Sequence, residues 1–109
     1  MGFDLDKLQT EIWTWKCINF PSSSAEEQFL GVVEEVGEAA HAILKKSQGI
    51  RGSEDKHQED LRDAIGDIMI FLLNFCSAQG WDLSDILVET WGTVRGRDWI
   101  HNKEDGVNG

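Results

Sequence analysis

Ala64-Ile-Gly-Asp-Ile-Met-Ile-Phe-Leu-Leu-Asn-Phe-Cys76 is the stretch that decides the fold, because Asp67 and Asn74 are its only polar side chains. A helix that is apolar nearly all round is a buried helix. A carboxylate on such a helix is costly unless it is paired or binds metal. At helical spacing Asp63, Asp67 and Asn74 project within about 40° of one another, so the polar groups form one stripe. The helix around them is expected over about residues 59 to 79, with Leu61, Ile65, Ile68, Leu72 and Phe75 at heptad-like spacing. Gly80 ends it as a C′ glycine does. A plainer explanation of Asp67 is a pairing with an arginine or the capping of a neighbouring helix.

Upstream, Val33-Glu-Glu-Val-Gly-Glu-Ala-Ala40 carries a second acidic stripe. Glu34 and Glu38 lie about 40° apart around a helix axis, and Glu35 lies about 60° beyond Glu38. Ser24 and Glu27 form a capping-box pattern that starts this helix, which is expected to run to about Lys46. Its apolar face is read as Phe29, Val32, Val33, Val36, Ala39, Ala40 and Ile43, opposite the glutamates. If the two stripes meet, four or five carboxylates repel one another in a small volume. A hard divalent cation such as Mg²⁺, with Mn²⁺ as the alternative, is the simplest resolution.

Pro21, the one proline, separates this helix from an earlier one with apolar residues at Leu5, Leu8, Ile12, Trp15 and Ile18. Residues 48 to 58 are glycine-containing and polar and read as a loop. A fourth helix is expected from Ser84 through Ile86, Leu87, Trp91 and Val94 towards Arg97. No stretch alternates as a strand does. The fold class is all-α, a bundle of four to five helices over residues 1 to 100, with 101 to 109 a flexible tail. Helices totalling about eighty residues bury little surface alone. The apolar third helix therefore favours an assembly, a homodimer or a dimer of dimers, in which two chains complete one core.

Twenty acidic residues against ten basic ones give a net charge of −10, which argues against binding a nucleic acid polymer through its phosphates. A small phosphorylated substrate stays compatible, because a bound metal reverses the local sign. Cys17 and Cys76 sit among apolar residues without metal-like spacing and read as thiols of a reducing compartment. No signal peptide is visible, and the Ala64–Cys76 run is too short to span a bilayer. The expected location is the cytoplasm, with no membrane partner.

The pattern Glu34-Glu35-x-x-Glu38, a loop, and an acidic pair ending at Asp67 resembles the MazG-like nucleotide pyrophosphohydrolases, within a wider all-α group of nucleoside triphosphate pyrophosphatases. The likeness covers about residues 12 to 99 and includes Ala40 to Lys45, Gln48-Gly-Ile-Arg51, Gly66-Asp67 and Arg97-Asp98-Trp99. It implies hydrolysis of a nucleoside triphosphate between the α and β phosphates, with Mg²⁺ held by acids of two adjacent helices. Glu35, Glu38 and Asp67 are the leading metal ligands, followed by Glu34 and Asp63. Glu34 or Glu38 is the general base. One departure is Ala64, which stands where the family's second motif carries a glutamate. Asp63 is its nearest substitute, though turned by about 100°. Thr90 and Val94 stand where some relatives have a lysine and an asparagine.

Lys45, Lys46 and Arg51 follow the acidic helix and can hold phosphates, or serve as ordinary C-terminal cations of a helix. Of the five tryptophans, Trp13 and Trp15 are best placed to meet a base. Phe71, Asn74 and Arg97 complete the substrate-binding candidates. A deoxynucleoside triphosphate is favoured, because bulky apolar residues around the acids leave few groups for a 2′-hydroxyl. Two alternatives compete. Glu38-x-x-His41 and Glu54-x-x-His57 are pairs of the kind that di-iron carboxylate bundles use. A non-enzymatic helical interaction module would leave the acids as solvated surface.

Overall fold

Four helices, three of them with a side-chain N-cap, account for most of the described residues. In the computed structural model, which describes residues 3–107, they are α1 (Leu5–Asn19), α2 (Ala25–Gln48), α3 (Glu54–Gln79) and α4 (Leu83–Val94). The fold is all-α, with no strand among the described residues. The capping box forms as expected: Ser24 Oγ accepts from Glu27 N–H, and the Glu27 carboxylate accepts from Ser24 N–H. Gly49 and Gly80 end α2 and α3 in the left-handed region, at φ 69° and 75°.

The third helix starts at Glu54, earlier than the polar composition of this stretch suggested. Ser53 is its N-cap, with Oγ accepting from Lys56 N–H, and Glu54 and Asp55 suit the positive end of the helix dipole. His57 thus lies on the first turns of α3 and not in a loop. It is buried, and its Nε2–H donates to Ile50 O at 2.8 Å, which ties down the connection from α2. Within that connection Arg51 adopts φ 62°, a strained conformation for a residue with a side chain.

α2 and α3 form a helical hairpin, α1 packs across α3, and α4 leans on α1. Leu73, Cys76 and Leu83 form the small core, with Leu5, Ile12, Leu72 and Ile86 packed around them. Gln9 closes this corner from α1. It donates to Ser77 Oγ and Trp81 O and accepts from Leu83 N–H, joining three helices through one buried amide. α4 ends at Val94, short of the expected Arg97, and the chain then turns so that Asp98 N–H donates to Gly106 O. Of the tail expected to be flexible, Asn108 and Gly109 lie outside the described residues.

The expected apolar face of α2 needs correction. Ala39 is buried, but Phe29, Val33, Val36 and Ile43 are exposed in the single chain. The side of α2 that meets α3 carries Gln28, Gly31, Glu35, Ala39 and Ala42 instead, so Glu35 is half-buried at the helix interface. The third helix is not covered on all sides either. Ile65, Met69 and Ile70 remain open, and so does Asp67, because α1 and α2 cover only part of this helix and Leu83 of α4 meets it only near its C-terminal end. The radius of gyration is 17.7 Å, where a compact chain of this length has about 13 Å. No described helix is long and apolar enough to cross a membrane.

Candidate functional site

Two clefts share one wall. The first lies between α2 and α3, has a volume of about 410 Å³, and is lined by Glu35, Glu38, His41, Ala42, Asp60, Asp63, Ala64 and Asp67. No lysine or arginine stands in its lining. Among the described residues, Glu35, Glu38, Asp63 and Asp67 have no ion-pair partner, so the plainer explanation of Asp67 as an arginine's partner does not hold. Asp60 alone is paired, with Lys56 at 3.1 Å. Glu35 and Glu38 of α2 stand across this cleft from Asp63 and Asp67 of α3. Partial burial pushes the Glu35 carboxyl above its ordinary range, and the charges of Asp67, Glu34 and Glu38 push it further. The rise caused by Asp67 is a repulsion across the helix pair, the conflict a cation would relieve.

The donors fit a hard cation in kind: carboxylate oxygens, undercompensated, in one cleft. They are not drawn together around a single point. Among the described residues, no three His, Cys, Asp or Glu side chains stand close enough to hold a metal ion as placed. Ala64 is the buried floor of the cleft, and Asp63 and Asp60 flank it on the same helix.

The second cleft lies between α1, α2 and α3 and is also about 410 Å³. Its lining is mostly apolar, with Leu8, Ile12, Trp15, Phe20, Ile70 and Phe71, and its polar members are Glu11, Lys16, Gln28, Asn74 and Asp67. Asp67 therefore belongs to both clefts. Gly31 lets the Phe71 ring lie against α2, since a Cβ at Gly31 would clash with it.

The remaining sequence candidates fall elsewhere. Glu34 lines a separate groove with Phe20, Gln28 and Phe71, and reaches the acidic cleft only through its charge on Glu35. Lys45 and Lys46 donate to Gln48 and Gln58 and line neither cleft. Arg51 also lines neither, and no side-chain partner holds it among the described residues. Trp13 lies beneath the Lys16 ammonium, 4.8 Å from the ring centre, and leaves Trp15 as the tryptophan of the apolar cleft. Arg97 sits in the turn closed by Gly106 and lines neither cleft. Glu54 and His57 line a different cleft from Glu38 and His41, which separates the two halves that a di-iron site needs.

The polar residues of these clefts that sequence reading does not single out as site candidates are Asp60, Glu11, Lys16, Gln28 and, outside the di-iron pair, His41. Asp60 was findable, because it stands seven residues before Asp67 and thus on the same face. Lys16 and Gln28 come from different helices, and nothing local marks them.

A family model described as the MazG nucleotide pyrophosphohydrolase domain matches residues 23–98. The chain belongs to this family. The match spans both acidic stripes and all of α2 and α3, and it places the protein among hydrolases that act on nucleotides. No curated protein and no solved structure gives a match.

Proposed function

We propose that this MazG-family chain hydrolyses nucleoside triphosphates to the monophosphate and pyrophosphate, with Mg²⁺ between α2 and α3. The observation that carries this reading is the position of Asp67, on the wall shared by an acidic cleft and an apolar one. A nucleotide has the same two-part character, a charged phosphate chain joined to a flat apolar base.

Glu35, Glu38 and Asp67 are the residues that would hold the ion, with Asp63 beside them. Bound there, Mg²⁺ would neutralise charge growing on the leaving pyrophosphate and lower the pKa of a coordinated water. Glu38 is the general base in preference to Glu34, because it lines the acidic cleft itself. Trp15 and Phe71 offer flat faces to a base. Arg51 supplies the cation for the outer phosphates, while Lys45 and Lys46 are engaged by glutamines. The apolar wall of Leu8, Ile12 and Ile70 supports a deoxynucleotide, since it offers a 2′-hydroxyl no partner. The open faces of α2 and α3, with the large radius of gyration, support a homodimer or a dimer of dimers.

A panel of nucleoside triphosphates assayed for pyrophosphate release, on wild type and Asp67→Asn, tests the reading. Turnover should require Mg²⁺ or Mn²⁺, and Asp67→Asn should keep the helical spectrum and lose activity by about 100-fold or more. Near-normal turnover of Asp67→Asn would rule out the metal role.

A further inference from the structure

We infer that the apolar cleft selects a nucleobase bearing an exocyclic amino group, read by the side-chain oxygens of Gln28 and Asn74. The inference rests on the site being nucleotide-binding, but not on the hydrolysis itself.

Gln28 is 5 % exposed and Asn74 is 2 % exposed, and both line the cleft. Gln28 Oε1 and Asn74 Oδ1 are the buried side-chain atoms that lack a hydrogen-bond partner among the described residues. Buried polar atoms in folded proteins are nearly always satisfied, and the two orphans belong to residues that line one cleft, where a base seated deeply enough to reach them would satisfy both. Their chemistry gives the ligand's sign. Gln28 Nε2 donates to Ser23 Oγ at 2.8 Å, which leaves its oxygen as the open end of the amide. The reversed amide would leave two N–H hydrogens unmet in place of one oxygen. Gln28 Oε1 is therefore an acceptor that calls for an N–H donor, and Asn74 Oδ1 as placed is a second.

Cytosine, adenine and guanine carry such donors as an amino group. Uracil, thymine and hypoxanthine carry a carbonyl at the position that cytosine and adenine use: their ring N–H can serve one of the two oxygens, but the carbonyl sets lone pair against lone pair at the other, whereas an amino group offers an N–H to each. Trp15 and Phe71 supply flat surface that any base can use. Stacking therefore gives general affinity, and the two amide oxygens give the choice.

Nucleoside monophosphates test this without metal or turnover. dCMP against dUMP, and dAMP against dIMP, each exchange an amino group for a carbonyl. Their affinities can be read by calorimetry on the full chain. In at least one pair the amino partner should bind about 10- to 100-fold tighter. Gln28→Met should bring that ratio close to one, and Gln28→Glu, which keeps an acceptor, should retain it, with thermal melts verifying that both variants fold. Asn74 is more deeply enclosed, so the Gln28 variants carry the test.

Equal affinities within both pairs would mean that a base in the cleft does not reach the two oxygens, and would overturn the inference. Tighter binding of the carbonyl partners, or no binding of any of the four, would overturn it too. Discrimination among monophosphates with no triphosphate turned over would leave the inference standing and remove the hydrolase reading.

Discussion

Glu35 is the residue on which the electrostatics of the site converge. Its carboxyl is held above the ordinary range first by partial burial, then by Asp67, Glu34 and Glu38. A raised carboxyl pKa means that the folded state holds the proton more tightly than the unfolded one. Metal-free stability therefore falls as pH rises from the unfolded value through the raised folded one, and stays lowered above it. Glu35→Gln should abolish turnover yet raise the melting temperature in EDTA at pH 7 by a small amount, about 1–3 °C. A lower melting temperature for this variant would show that the glutamate is stabilising, and the repulsion account would fail. Gly31 offers an independent test. Gly31→Ala gains up to about 1 kcal/mol of helix propensity, but its Cβ clashes with the Phe71 ring. The predicted outcome is a net loss of about 1–3 kcal/mol in denaturant titration. At this scale the acids are legible because helical period gathers Glu35 with Glu38, and Asp63 with Asp67, on one side of each helix, while the meeting of the two sides comes from the packing of α2 on α3. Lys16 and Gln28 are not, since their place in the apolar cleft depends on how α1 crosses the hairpin.

Among the elements, α1 governs the apolar cleft and depends on Gln9 for its position. Three hydrogen bonds from this buried amide reach α3, the following turn and α4. Gln9→Ala should cost about 2–3 kcal/mol, because it leaves the Leu83 N–H without its partner. It should also raise KM more than it lowers kcat, because the acidic cleft is built without α1. An unchanged KM in a measurably destabilised protein would show that α1 does not shape substrate binding. The helix starts illustrate what local sequence can specify. Ser24 with Glu27 and the αL glycine Gly80 are readable, since each acts on its own turn. The start of α3 is harder to read because the polar run from Glu54 to Gln58 has a loop's composition. The cap signal is present in Ser53 and the acids after it. The exposed side of α2 was misassigned for another reason. Periodicity finds an apolar face but does not say whether the same chain or a second one covers it.

For the whole molecule, the apolar residues left open on α2, α3 and α4 are the dominant fact. Val33, Val36 and Ile43 are all at least half exposed, as are Ile65, Leu87 and Trp91. Light scattering at micromolar concentration should give the mass of a dimer or tetramer. Val36→Glu should lower that mass while the α2–α3 hairpin keeps its helicity, because Val36 faces away from α3. A wild type that runs as a well-folded monomer would contradict the assembly. The central claim, that the acidic and apolar clefts together hold one nucleoside triphosphate for attack at its α phosphorus, has a more direct test. Turnover of a nucleoside triphosphate in ¹⁸O-labelled water with Mg²⁺, followed by mass spectrometry of the products, shows where the oxygen goes. The account predicts labelled monophosphate and unlabelled pyrophosphate. Label in pyrophosphate, products of diphosphate and orthophosphate, or no turnover with any nucleotide would contradict it.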